Sequence, residues 1–158
     1  MKRQGKGPQR RRRRYSLGVA TMERIGKVVV NAIVHRTFTA MKGVDDQALP
    51  THSQLKSKGL VKGPSSDGGV YSKSHGKRRS EGGWPTNKVT LSMTDRMSND
   101  VDVVSKLKTI VRISVKGPSK AYAFYTNRLR PWFGISDKDR TGIRKEVSRI
   151  LKEVGRRG

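Results

Sequence analysis

The stretch Arg130-Pro131-Trp132-Phe133-Gly134-Ile135-Ser136-Asp137-Lys138-Asp139-Arg140 constrains the fold of this chain more than any other. It reads as an extended strap around a proline, a bulky aromatic anchor, a tight turn at Gly134 and a capped helix. Ser136 followed by Asp139 has the spacing of a capping box, which places a helix start at 136. From there Ile143, Val147, Ile150, Leu151 and Val154 form one apolar stripe, so a helix is predicted over 136–154 and stopped by Gly155. Asp137 and Asp139 sit at its positive end and Lys152 near its negative end, as the helix dipole favours. Arg130, Pro131, Trp132, Phe133, Gly134, Ser136 and Asp139 are therefore predicted to act as a structural strap and cap.

What this helix can pack against is limited. Only 32% of residues are hydrophobic and 30% are charged, so the core must be small and much of the chain solvated or paired with a partner. With 36 Lys and Arg against 12 Asp and Glu, the formal charge is +24. Self-repulsion at that level disfavours a compact monomer unless counter-charge is supplied. Nucleic-acid phosphate is the leading candidate, with an acidic protein neighbour as the other. The absence of cysteine removes disulfides, thiolate nucleophiles and cysteine-based zinc sites. No apolar run approaches a membrane span, and no secretory signal is visible. A mitochondrial transit peptide is disfavoured because Lys2 to Arg14 offers no apolar face.

Residues 1–15 read as a flexible basic arm carrying Lys2, Arg3, Lys6, Arg10, Arg11, Arg12, Arg13 and Arg14. Such a block repels itself until an anion neutralises it. Its contacts with phosphate would carry no base specificity. Residues 16–158 read as a single α+β domain. A long N-terminal helix is expected over 16–41, with Ser16 as N-cap, Met22, Ile25, Val29 and Ile33 on its apolar face, and Lys42-Gly43 closing it. Residues 43–87 are rich in Gly, Ser, Lys and Pro and read as an extended loop. Val70-Tyr71-Ser72 is a possible short strand in that loop, and Trp84-Pro85 a pin back onto the body. A small antiparallel sheet of three to four strands is expected from 88–93, 101–104, 108–115 and 121–126.

No catalytic constellation emerges, and the chain is expected not to be an enzyme and to carry no cofactor or metal. His35 reads as a helix-flank residue, and His52 and His75 as solvated. Asp45-Asp46 reads as a turn rather than a metal site, and Gly63 to Gly69 as a linker lacking the lysine of a phosphate loop. Lys77, Arg78 and Arg79 form a second basic patch that, with the arm, would contact nucleic acid or an acidic surface. Tyr122, Phe124, Tyr125, Trp132 and Phe133 lie close to Arg128 and Arg130, a mixture that suits a stacking platform but is read first as the core.

In order, these parts resemble the tail-completion, tail-terminator and neck proteins of tailed bacteriophages, including the virion-morphogenesis type. Lys42 to Pro50 is similar to the family's segment after its first helix. Leu91 to Asp100 resembles its "TGRL-x-x-S" stretch, although Asp95 stands where glycine is usual. Ala121 to Tyr125 resembles its tyrosine-rich strand, with Tyr125 where histidine is common. Arg130 to Arg140 resembles its "RPF-hydrophobic-G-L-S-x-x-D" strap. The resemblance implies a virion protein that forms a homo-oligomeric ring at the head-to-tail junction, joining connector to tail around the DNA channel. Other neck, connector or tail proteins, and packaged DNA, are the implied partners. The implied location is the virion, with the host cytoplasm during assembly and no membrane. The alternative from charge alone is a basic RNA- or DNA-binding protein, such as a ribosomal protein or a small-virus coat protein.

Overall fold

One helix and one hairpin make the frame on which the rest of the chain is hung. A computed structural model describes residues 17–91 and 95–156. Helix α1, Val19–Val34, buries Met22, Gly26, Val29 and Ile33, a helical spacing that leaves one broad face for packing. Strands β1, Val101–Lys106, and β2, Val111–Val115, pair antiparallel and lie across that face. Gly26 makes the crossing possible: a β-carbon there would come within 2.7 Å of the side chains of both Val103 and Val111. The strand pairing slips by one residue between Val103 and Ser105, so Val104 bulges outward. A tight turn at Lys108-Thr109 joins the strands, closed by Leu107 N–H donating to the Ile110 carbonyl (2.8 Å). Alternation along β2 is as expected, with Val115 buried and Arg112 exposed.

The fold is α+β, with six α-helices and a two-stranded antiparallel sheet among the described residues. The three to four strands expected from sequence reduce to two. Residues 88–91 alternate because Val89 and Leu91 are buried, yet their backbone pairs with a side chain instead of a strand. The Tyr71 hydroxyl accepts from Thr90 N–H (2.8 Å) and donates to the Lys88 carbonyl (3.0 Å). Residues 121–126 belong to a helix, α5, Ser119–Leu129. Its buried residues Ser119, Ala123 and Thr126 recur at helical spacing, and the aromatics that suggested a strand lie outside this buried set.

The expected loop at 43–87 is built rather than open. It contains helix α2, His52–Ser57, a 3-10 turn at Asp67–Gly69 and helix α3, Lys73–Glu81. Thr51 and Gln54 form a reciprocal capping box on α2, and Leu55 anchors it in the interior. Val70 and Tyr71 are buried without forming a strand; Ser72 makes one isolated bridge to Ser65. Trp84 folds over Gly82, so it closes the end of α3 rather than pinning the segment to the body.

Helix α1 ends at Val34 and passes into one π-helical turn, His35–Thr39, in place of a regular helix to 41. Its N-cap is Gly18, without a side-chain cap; the expected cap Ser16 lies outside the described residues. Met41 takes the left-handed turn (φ 58°) after the helix, and Lys42 N–H closes on the Arg36 carbonyl at 3.0 Å. Gly43 serves a different purpose, since a β-carbon there would sit 2.8 Å from the Pro131 carbonyl oxygen. Short helix α4, Arg96–Asp100, leads into β1, and helix α6, Asp137–Gly155, packs along α1. None of the helices among the described residues is long and apolar enough to cross a membrane.

Candidate functional site

The strap is tied down at nearly every residue. The Trp132 ring is fully buried, edge-on to Phe38 and to Phe133 with 5.5 Å between centroids in each pair. Its indole N–H donates to Thr126 Oγ1 (3.2 Å), and Asn127 Oδ1 accepts the backbone N–H groups of Trp132 (2.9 Å) and Phe133 (2.8 Å). The Arg130 Nε donates to the Pro50 carbonyl (2.7 Å), while the Pro131 carbonyl accepts Val44 N–H at 3.0 Å. Ser136 and Asp139 complete a reciprocal capping box on α6, and the Ser136 hydroxyl also donates to Asp46 Oδ1 (3.1 Å). Asp45-Asp46 is thus a turn docked on the cap.

Arg36 crosses beneath the strap and was not singled out from sequence. The π-turn buries it beside Thr37. Its Nη1 pairs with Asp139 Oδ2, and Nη2 donates to the carbonyls of Trp132 and Gly134 (3.1 Å for the latter). A signal existed: Arg36 continues the series Met22, Gly26, Val29, Ile33 by one more helical step. A cation on an apolar stripe calls for a buried acceptor.

The outer surface of α5 contrasts with its buried side. Tyr122 is 50%, Phe124 77% and Tyr125 58% exposed. On one flank Phe124 borders a cavity of about 660 Å³ lined by Val115, Pro118, Ala121, Trp132 and Phe133. On the other flank a cleft of about 650 Å³ is lined by Tyr122 and Tyr125, the loop residues Leu60 and Lys62, His75 and Arg78 of α3, and Arg130. Among the described residues no carboxylate lines this cleft. Burial lowers the Arg130 guanidinium below its usual value, against the opposing influence of Tyr122 and Tyr71. Burial likewise raises the Tyr122 hydroxyl. His75 is lowered first by burial and then by the charges of Arg79, Arg78 and Arg130. A second apolar surface lies far along the chain at the hairpin tip, where Leu107 is 57% and Ile110 53% exposed.

The aromatic cluster expected as core therefore divides: Trp132 and Phe133 pack inside, and Tyr122, Phe124 and Tyr125 do not. The basic patch divides too. Lys77 and Arg78 are exposed, but Arg79 is buried. The Arg79 guanidinium lies 4.7 Å from the Tyr71 ring centroid and donates to the Pro85 carbonyl (2.9 Å) and Thr90 Oγ1 (2.7 Å), so it holds the 70–90 segment together. Lys2, Arg3, Lys6 and Arg10 to Arg14 lie outside the described residues. His35 is exposed, whereas His52 is buried against the Ser65 hydroxyl (2.9 Å) and His75 is half-buried against Tyr71, which corrects the reading of both as solvated. Among the described residues no cluster of His, Asp or Glu is arranged to hold a metal ion. Neither a protein-family model, nor a curated protein, nor a solved structure matches this chain.

Proposed function

We propose that this chain is a non-enzymatic structural protein of a tailed-phage virion, a ring-forming subunit at the head-to-tail junction that joins connector to tail around the DNA channel. The observation that carries this reading is a pair of exposed apolar surfaces that share no residue: Phe124 over its cavity, and Leu107 with Ile110 at the hairpin tip. A chain with so little apolar content gains nothing by leaving these residues in water. Unlike faces that meet between copies generate rings when the rotation closes. The order of parts supports the same reading: a long first helix, paired strands, and a strap leading into the capped last helix. Asp95 supports it as well, since its φ of 54° is the backbone geometry that explains why a related chain would place glycine there.

Light scattering on the eluting protein and negative-stain images are expected to give one closed annular species at micromolar concentration. A monomer at every concentration and salt tested sinks the reading. The competing reading, a basic nucleic-acid-binding protein such as a ribosomal or small-virus coat protein, draws on the +24 charge. It is favoured if nucleic-acid retardation is strong, falls steeply with salt and involves a monomer.

A further inference from the structure

We infer that the cleft between α3 and α5 is a nucleotide site, which takes a base of a single-stranded nucleic acid against Tyr122 and Tyr125 and its phosphate on Arg78 and Arg130. The cleft volume of about 650 Å³ falls in the range of small-ligand sites. Its charge is uncompensated. Among the described residues Lys62, Arg78 and Arg130 line it and no carboxylate does, and the side-chain hydrogen bond of Arg130 runs from Nε to the Pro50 carbonyl, leaving the Nη groups of its fork for an anion. His75, whose proton affinity is lowered first by burial, is lowered further by the charges of Arg79, Arg78 and Arg130 around the same cleft.

The counter-charge has to come from outside the chain. A second copy brings 12 carboxylates against 36 cations. Several of those are already engaged: Glu23 with Lys106, Asp102 with Lys116, Asp139 with Arg36, Glu146 and Glu153 with Arg149. Between the external anions, the tyrosines decide. A carboxylate on a partner protein makes no use of two tyrosine rings at the mouth of the cleft, whereas a base stacks on any aromatic face and an adjacent arginine holds its phosphate. The site is sequence-tolerant on this account, because stacking and phosphate contacts do not read base edges. It does not depend on the ring: the cleft and the hairpin tip share no residue.

The test uses the full chain and a short oligothymidylate carrying one 5-iodouracil, cross-linked by light and mapped by mass spectrometry. Adducts are expected on Tyr122 or Tyr125. Tyr125→Ala is expected to weaken binding roughly tenfold, and Arg78→Ala several-fold; both positions are exposed, and circular dichroism checks that each variant is folded. Tyrosine ring signals followed by NMR separate the sources. Shifts with thymidine monophosphate indicate that a free nucleotide suffices, and shifts only with the oligomer indicate a strand; both support the site. Adducts confined to residues 1–15, or tyrosine signals that respond to an oligo-aspartate peptide and to neither nucleotide probe, overturn it.

Discussion

The strap and the hairpin tip spend the same apolar chemistry in opposite ways. Around the strap, Trp132 packs edge-on to Phe38 and Phe133, the backbone N–H groups of Trp132 and Phe133 end on Asn127, and Arg36 ties the strap carbonyls to the cap of α6. Four parts of the chain meet there: the end of α1, the 43–50 turn, α5 and α6. At the hairpin tip Leu107 and Ile110 touch solvent, and the ion pairs along the hairpin, Lys106 with Glu23 beside the tip and Lys116 with Asp102 at the open end, are largely exposed. Pairs of that kind add little in water. The difference separates what the monomer needs to fold from what the proposed ring would use, and substitutions can test that division.

The sharpest break is Trp132→Ala. Removing a fully buried indole should cost about 3–5 kcal/mol in urea denaturation, enough to unfold a marginal domain. A loss below about 1 kcal/mol would mean that the strap is an ornament and not a keystone. Next comes Arg36→Ala, which strands the Asp139 carboxylate and the carbonyls of Trp132 and Gly134; the expected loss is about 3 kcal/mol. Adding Asp139→Asn should restore part of that loss, because the buried charge leaves with its partner. Strict additivity of the two changes would show that the pair is not coupled.

How much of this was readable in advance follows from where the information sits. The strap was legible because proline, adjacent aromatics and a capping box each carry a local meaning that tertiary context did not override. The hairpin was legible from alternation at 111–115. The 43–87 segment was not, since its order comes from polar groups acting at a distance: Tyr71 serving as the backbone partner of 88–90, Arg79 bonded to Pro85 and Thr90, Gly76 pressed on Ser66. Composition counts such residues as loop formers. The aromatics at 122–125 misled for another reason, as strand propensity was read from side chains that the helix turns outward. The cleft on α5 was half visible, as tyrosines near Arg130, while the contributions of His75 and Arg78 required the fold.

Two smaller effects lie between the extremes. Ser136→Ala removes the N-cap of α6 and the partner of Asp46, and about 1 kcal/mol should be lost, with fraying at 137–140 seen by hydrogen exchange. The cleft should add a pH dependence through His75, whose folded-state value lies below its ordinary 6.5. The unfolded chain then takes up the proton first, so stability is full above that value and declines as pH falls through the window down to the lowered folded value. His75→Gln should flatten that decline in denaturation series run between neutral and mildly acid pH. An unchanged slope would assign the decline to other groups.

The smallest effect on the fold is expected where the largest effect on assembly lies. Leu107→Ser combined with Ile110→Ser should change monomer stability by no more than about 0.5 kcal/mol, because both side chains are more than half exposed. The same double variant should lose the annular species altogether. The two readouts must be separated by concentration: a partner that binds only the folded chain raises apparent stability by mass action, so the wild type should melt higher as it is concentrated and the variant should not. If the variant instead melts several degrees lower at every dilution while still forming rings, the hairpin tip belongs with the strap as part of the monomer's own structure, and the division drawn between the two regions fails.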